Sequence, residues 1–177
     1  MTITEDELLY EVDAHDRVVG SCKRGDAHRF GLRHRSVHIL VFSERSEVFL
    51  QKRSMNKDVD PGRWDSSAAG HVDFGESYDE CAMRELGEEL GIMLAEPPER
   101  LFKLPASEAT GWEFVQVYRL YYSGLFQLDA SEIDEGRWFS PVEISAWQAR
   151  SGMELTASFR TIWMAYWRLE ATKPHSL

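Results

Sequence analysis

The chain has few cysteines, few basic residues and no long apolar run, and each of these features argues against one class of protein. Only two of its 177 residues are cysteines, Cys22 and Cys81, so we expect neither a disulfide framework nor a zinc ribbon. Twenty basic residues stand against thirty acidic ones, which gives a net charge of −10 and argues against stable binding to nucleic acid or to an anionic membrane. No segment approaches the roughly 18 consecutive apolar residues that a membrane span needs.

The N-terminal segment MTITEDELLYEVD also lacks the basic residues and the apolar run of a signal peptide. We therefore expect a cytoplasmic protein without a membrane partner. A chain of this length can form one domain with a hydrophobic core but is too short for two domains of ordinary size, so residues 1–177 are interpreted as a single domain. The sequence leaves the oligomeric state open, a homodimer included.

The most informative segment spans residues 70–92, GHVDFGESYDECAMRELGEELGI. Ser77 followed by Glu80 predicts a capping box at the start of a helix, and Gly91 suits the left-handed conformation that ends one. The segment therefore predicts a loop, a well-bounded helix and a second loop.

Three glutamates crowd one face of this helix. At about 100° per residue, Glu85, Glu88 and Glu89 fall within a roughly 100° arc, and the apolar residues cluster on a different face. Like charges at this spacing repel by a few tenths of a kcal/mol per pair, and a hard divalent cation would remove that cost. Oxygen-only ligands favour Mg²⁺ or Mn²⁺ over Zn²⁺. A solvated acidic face is the alternative interpretation.

The segment resembles the Nudix box at every fixed position: glycine, five residues, glutamate, seven residues, Arg-Glu-apolar, one residue, Glu-Glu, one residue and Gly-apolar. These positions are occupied here by Gly70, Glu76, Arg84, Glu85, Leu86, Glu88, Glu89, Gly91 and Ile92. The resemblance implies a Mg²⁺-dependent hydrolase, with Mn²⁺ as a substitute, that directs water at a phosphorus of a diphosphate linkage. Its expected substrate is a small molecule, a nucleoside diphosphate derivative or a related organic diphosphate.

The resemblance also implies roles for these residues. Glu85, Glu88 and Glu89 are the expected catalytic residues and metal ligands, with Glu85 either a third ligand or the general base. The carbonyl of Gly70 is a further expected ligand. Other candidates for the base are carboxylates outside the box, and the sequence does not choose among them: Glu108, Glu113, Glu132 and Glu135.

Glu76 and Arg84 are expected to support the site without binding the metal. In the family these two positions tend to pair and so orient the loop on the helix. A simple surface ion pair is the alternative.

The remaining pattern predicts an α/β fold with a mixed β-sheet. Strand-like segments alternate with turn signals, and a second capping box begins at Ser140. The predicted strands are a hairpin over about 8–22, a second hairpin over 36–53 and single strands near 68–72, 112–124 and 137–139. Two helices are predicted after the box helix, one from the capping box at Ser140 to about 150 and one over about 156–171. Helices on two sides of the strands give an α/β/α sandwich, the fold that the resemblance to Nudix proteins implies.

A second resemblance lies outside the box. The runs GLRHRSVH at 31–38, LQKRS at 50–54, PGRW at 61–64 and the pair Gly70-His71 are similar to the isopentenyl diphosphate isomerase branch of the superfamily. In those enzymes histidines bind a catalytic metal, and the matching positions are His28, His34 and His71. Isomerases place a catalytic cysteine where this chain has Ala69, and an alanine methyl cannot transfer a proton. Isomerase activity is therefore the disfavoured alternative.

Substrate recognition has to come from residues outside the box glutamates. Lys52, Arg53 and Lys57 place three cations within six residues of an acidic chain, which indicates phosphate binding, although a solvated edge strand has the same pattern. His71 and His34 are further substrate-binding candidates, and each could instead be an ordinary polar strand residue. A catalytically silent Nudix module that binds a ligand is a third alternative, against which the intact box glutamates argue.

Overall fold

The computed structural model describes residues 6–150 and 152–172. An antiparallel hairpin of strands β1 (Leu8–Val12) and β2 (Val18–Lys23) comes first, and helix α1 (Arg24–Phe30) follows it. The hairpin and α1 share a small cluster of buried side chains, Leu9, Cys22 and Ala27.

Seven further strands form one mixed sheet. They are β3 (His34–Phe42), β4 (Val48–Arg53), β5 (Trp64–Asp65), β6 (Ala68–His71), β7 (Glu99–Leu104), β8 (Glu113–Tyr121) and β9 (Ile133–Phe139). The order is β5-β4-β3-β8-β7, with β6 paired to β3 and β9 paired to β4. Strands β3 and β8 run parallel, and the other pairs are antiparallel.

Strand β3 shares one edge between two partners. Its last residues pair with β4, from Val41 opposite Phe49, whereas its first half pairs with β6, from Ser36 opposite His71. Strands β4 and β6 therefore diverge. Side chains from both strands and from helix α2 (Tyr78–Leu90) line a cleft at this divergence.

Helices cover both faces of the sheet. The odd-numbered residues Val37, Ile39 and Val41 of β3 pack against α2, because alternate side chains of a strand point to opposite faces. The even-numbered Leu40 and Phe42 pack with α3 (Pro141–Arg150) and α4 (Ala157–Ala171). Burial of each such side chain contributes about 1.5–3 kcal/mol to stability. The predicted α/β/α sandwich with a mixed sheet is confirmed.

Helix α1 and strand β7 were not predicted from the sequence. Helix α1 has seven residues and no side-chain cap, and β7 has no fully buried residue, so neither shows the apolar periodicity by which elements are recognised. Within the two described ranges, no helix has the length and apolarity needed to cross a membrane.

Candidate active site

Helix α2 is bounded by the capping signals in its sequence. The Ser77 hydroxyl accepts a hydrogen bond from the Glu80 amide at 3.3 Å, and the Glu80 carboxylate accepts one from the Ser77 amide at 2.8 Å. Gly91 ends the helix with a φ of 69°. This fixed start and end set which residues of α2 face the sheet.

The three glutamates of α2 do not share one environment. Glu85 and Glu89 are buried against the sheet, with 8% and 4% of their surface exposed. Glu88 is exposed and accepts a hydrogen bond from Arg84 at 3.2 Å. Two of the predicted metal ligands are therefore held inside the cleft and the third lies at its rim.

Gly70 allows the carboxylate of Glu85 to approach strand β6. A Cβ atom built on Gly70 would overlap the Glu85 carboxylate, so no other residue fits here without moving that group. The glycine of the box is thus required by a close approach, and its φ is not positive.

Glu89 is fixed by two donors from different strands. Its Oε2 accepts hydrogen bonds from the Ala69 amide at 3.0 Å and from Gln51 Nε2 at 2.8 Å. Burial raises the pKa of both Glu89 and Glu85, and the charge of Glu89 raises that of Glu85 further. Two buried carboxylates that resist joint ionisation are suited to a divalent cation, which removes the repulsion.

Arg84 joins the loop of the box to the helix. Its guanidinium donates to both carboxylate oxygens of Glu76, at 2.8 and 2.9 Å, to Glu85 at 2.7 Å and to the carbonyl of His71 at 3.0 Å. A planar guanidinium can serve several acceptors in fixed directions, which an ammonium cannot. Arg84 and Glu76 therefore hold Glu85 beside β6, while their supporting role in the reaction stays a prediction.

A second cluster combines three histidines and a carboxylate. One potential ligand atom from each of His28, His34, His71 and Glu113 lies within 4.8 Å of the others. The Nε2 atoms of His28 and His71 are 3.2 Å apart, and Glu113 Oε1 is 3.3 Å from His71 and 3.6 Å from His34. Imidazoles and a carboxylate at these distances can bind a divalent metal.

The orientation of His34 supports this interpretation. Its Nδ1 lies 2.8 Å from the carbonyl of Leu32, which can only accept a hydrogen bond, so Nδ1 carries the proton. Its buried Nε2 makes no hydrogen bond with the described residues, and against the effect of burial the Glu113 carboxylate, 3.6 Å away, raises the pKa of the ring. Burial lowers the pKa of His28 to about 4 and also lowers that of His71, which leaves these two rings neutral, as metal ligands must be.

The sequence alone did not predict that these four residues form a cluster. Three of its members were singled out as histidines matching isomerase positions, but Glu113 was only one of four candidates for the base. The parallel pairing of β3 and β8 places His34 opposite Glu113, and a pairing over such a distance leaves no local signal in the sequence.

The predicted phosphate-binding cations divide between two places. Arg53 and Lys57 line the cleft, whereas Lys52, the neighbour of Arg53 on β4, does not, since adjacent residues of a strand point to opposite faces. Arg53 lies 3.6 Å from Asp65, and Lys57 forms an ion pair with Glu132.

Arg24 is a further cation of the cleft, which the sequence did not indicate. It is buried, with 5% exposed, and donates two hydrogen bonds to Asp58 at 2.7 and 3.0 Å. The pair holds the pKa of Asp58 at about 2. Arg24 comes from α1 and therefore depends on an element that was not predicted.

The chain belongs to the Nudix family, since the model of the NUDIX domain matches residues 32–157. It is 40% identical over 130 residues to an uncharacterized Nudix hydrolase of Streptomyces coelicolor, covering 72% of this chain and 71% of that protein. It is also 30% identical over 157 residues to an isopentenyl-diphosphate Delta-isomerase of Burkholderia multivorans, covering 87% and 89%. The crystal structure of DR0079 from Deinococcus radiodurans superposes with a TM-score of 0.80 at 27% identity, covering 90% and 98%.

These relatives confirm both resemblances that the sequence carried. The chain has the fold and the box of the Nudix hydrolases, and isomerases of the same superfamily are among its relatives. The choice between the two activities therefore depends on the residues of its own cleft.

Proposed function

We propose that the chain is a divalent-metal-dependent hydrolase that directs water at a phosphorus of a diphosphate linkage in a small organic molecule. The observation that carries the proposal is the burial of the Glu85 and Glu89 carboxylates beside Gly70, at a point where a Cβ atom would collide with Glu85. Buried like charges are costly unless something neutralises them. A bound divalent cation would neutralise them.

The residues of the cleft fit divalent metal in two places. Glu85, Glu88, Glu89 and the Gly70 carbonyl would hold Mg²⁺, or Mn²⁺ in its place, because all of these ligands are oxygens. The histidine cluster with Glu113 would hold a second cation, and the unpartnered Nε2 of His34 supports that site. When bound, such cations lower the pKa of coordinated water and neutralise charge on phosphate oxygens.

The substrate's diphosphate would lie against the basic side of the cleft. Arg53 of β4, Lys57 of the loop that follows and Arg24 of α1 line it, and guanidinium groups can donate to two phosphate oxygens at once. Each of them is already paired with a carboxylate of the protein. The carboxylates hold the cations in position until the diphosphate competes for them.

Proton removal from the attacking water falls to a carboxylate of the cleft. Glu85 is the first candidate, as either a third metal ligand or this base, because its carboxylate is held beside Gly70 inside the cleft. Among the candidates outside the box, Glu113 and Glu132 line the cleft, whereas Glu108 and Glu135 do not. Glu132 is engaged by Lys57, and against the effect of burial His34 and His71 hold the pKa of Glu113 well below its ordinary value, so that neither is favoured over Glu85.

The test is a panel of diphosphate compounds incubated with Mg²⁺ and analysed by mass spectrometry for two products. Wild-type protein should cleave at least one compound, and Glu89→Gln should abolish this cleavage because it removes a charge while keeping size. Glu99→Gln, on an exposed strand position outside the cleft, is the matched control and should leave turnover unchanged. Cleavage by Glu89→Gln at the wild-type rate would contradict the proposal.

Isomerisation of isopentenyl diphosphate is the second candidate function, which the histidine cluster and the isomerase relatives favour. Ala69 opposes it, since the position lies on the cleft and has no group that transfers protons. Incubation in deuterated water discriminates the two. Incorporation of deuterium into isopentenyl diphosphate, with no hydrolysis of any compound in the panel, would establish the isomerase instead.

A further inference from the structure

Trp112 has a backbone conformation that a bulky residue rarely adopts. Its φ is 66°, in the left-handed region, where a Cβ atom crowds the following carbonyl oxygen. The other non-glycine residues with positive φ in the described part of the chain have short polar side chains, and they are Asp16, Ser46 and Asp60. A bulky residue keeps this conformation only where the surrounding structure fixes it.

The loop before β8 fixes the backbone of Trp112 from both sides. The Trp112 amide donates a hydrogen bond to the Ser107 carbonyl at 2.7 Å, and the Thr110 hydroxyl donates one to the Glu113 carbonyl at 2.9 Å. Gly111, the residue before Trp112, is also left-handed, with a φ of 65°. The chain therefore turns sharply just before Glu113, the first residue of β8.

The indole of Trp112 packs against the end of helix α1. Gly31 ends this helix with a φ of 63°, and a Cβ atom built on it would lie 3.1 Å from Cδ1 and 3.2 Å from Nε1 of Trp112. The guanidinium of Arg33 lies over the same ring, 5.7 Å from its centroid, and such a contact is attractive. Because α1 carries His28, this packing fixes the end of the helix that bears a member of the histidine cluster.

Trp112 thus contacts three segments that carry members of this cluster. Its indole meets the end of α1, its carbonyl accepts a hydrogen bond from the His34 amide at 3.3 Å, and its own peptide bond joins it to Glu113. Trp112 does not line the cleft and so has no direct contact with a diphosphate bound there. Its contacts connect potential metal ligands to one another.

We propose that Trp112 is a positioning residue for the histidine cluster: its indole, packed on Gly31, holds α1 so that His28 stays within ligand distance of His34 and Glu113. A glycine would adopt this backbone more readily but would leave the end of α1 without its contact. The inference rests on the proposed second metal site and gives that site a residue outside the cleft.

Binding of Co²⁺ reports on the cluster separately from the glutamates. The protein is titrated with Co²⁺ without substrate and in millimolar Mg²⁺, because Mg²⁺ prefers the all-oxygen ligands and imidazoles favour the transition metal. Visible absorption of bound Co²⁺ is recorded, and His34→Ala identifies the part of the signal that belongs to the cluster. Thermal unfolding in EDTA measures the stability of each variant separately.

Two variants test the indole contact. Trp112→Gly should weaken the His34-dependent binding of Co²⁺ at least about tenfold, since residues that orient metal ligands contribute about 10- to 100-fold to affinity. Trp112→Phe retains an aromatic ring and should lose less. Gly31→Ala should also lose affinity, because its Cβ presses on the indole.

Gly152→Ala is the matched control for Gly31→Ala. Gly152 also has a positive φ, of 57°, and a Cβ atom there also meets its nearest atom at 3.1 Å, on Arg160. It lies outside the cleft and the cluster and should leave Co²⁺ affinity unchanged. Should Trp112→Gly fail to fold, the comparison of Gly31→Ala with Gly152→Ala decides.

Wild-type Co²⁺ affinity in Trp112→Gly and Gly31→Ala would overturn the inference. An equal loss in Gly152→Ala, or a wild-type protein without a His34-dependent Co²⁺ signal, would overturn it too. Failure of the proposed hydrolysis is a separate result. Co²⁺ binding that depends on Trp112, in a protein that cleaves no diphosphate, would support the positioning role and count against the hydrolase.

Discussion

Replacement of Gly70 by alanine tests whether the close approach of Glu85 to strand β6 is what assembles the site. The added Cβ would overlap the Glu85 carboxylate, and the nearest atoms are Oε1, Cδ and Oε2 of that residue. Since the backbone of β6 is paired with β3, the carboxylate has to give way by about 1 Å or more. A displacement of that size at a catalytic group costs about 100-fold in rate.

The assay compares kcat/KM for the compound of the panel that is cleaved best, together with thermal unfolding with and without Mg²⁺. Gly70→Ala should lose about 100-fold in kcat/KM and much of the rise in melting temperature that Mg²⁺ gives the wild type. Gly20→Ala is the matched control, because a Cβ there meets its nearest atom at 3.9 Å. Gly70→Ala with wild-type activity and a wild-type response to Mg²⁺ would refute the reasoning.

Further predictions concern the carboxylates and their supporting arginine. Glu88→Gln should weaken turnover less than Glu89→Gln, as Glu88 lies at the exposed rim, and steady-state kinetics at several Mg²⁺ concentrations measure the difference. Millimolar Mg²⁺ or Mn²⁺ should raise the melting temperature by mass action on the folded state, and less so in Glu85→Ala; a curve indifferent to divalent ions would count against a preformed site. Burial raises the pKa of Glu85 and Glu89 above the ordinary 4.5, so the metal-free folded protein retains protons that the unfolded chain releases. Its stability in EDTA should therefore fall as pH rises from 4.5 through the raised pKa values, and Glu89→Gln should flatten that fall. Arg84→Lys should lower kcat while the fold is unchanged, because an ammonium cannot replace the two hydrogen bonds to Glu76. A wild-type kcat in this variant would contradict the supporting role of Arg84.

The α/β/α architecture could be predicted because its signals are local. The capping box at Ser77 and the left-handed Gly91 define α2 in sequence as they do in structure. The nearly all-apolar run of β3 identifies it as a buried strand. These features depend on neighbours within a few residues, which is the range over which sequence patterns are informative.

The site residues could be grouped from the sequence only where they lie on a single element. The glutamates of α2 could be placed on one helix face, but the burial of Glu89 depends on Gln51 and Ala69 from two strands. The role of Glu113 depends on the parallel pairing of β3 with β8. Arg24 depends on α1, a short helix with no capping signal. Each of these results from tertiary pairing, which no local pattern encodes.

The central claim is that water attacks phosphorus in a diphosphate at a metal-binding cleft. Its most direct test is cleavage of the preferred compound in ¹⁸O-labelled water with Mg²⁺, followed by mass spectrometry of both products. The account predicts one ¹⁸O atom in a phosphate group of one product, no cleavage in EDTA and none by Glu89→Gln. Label in a carbon-bound hydroxyl, or cleavage that persists without divalent metal, would contradict it.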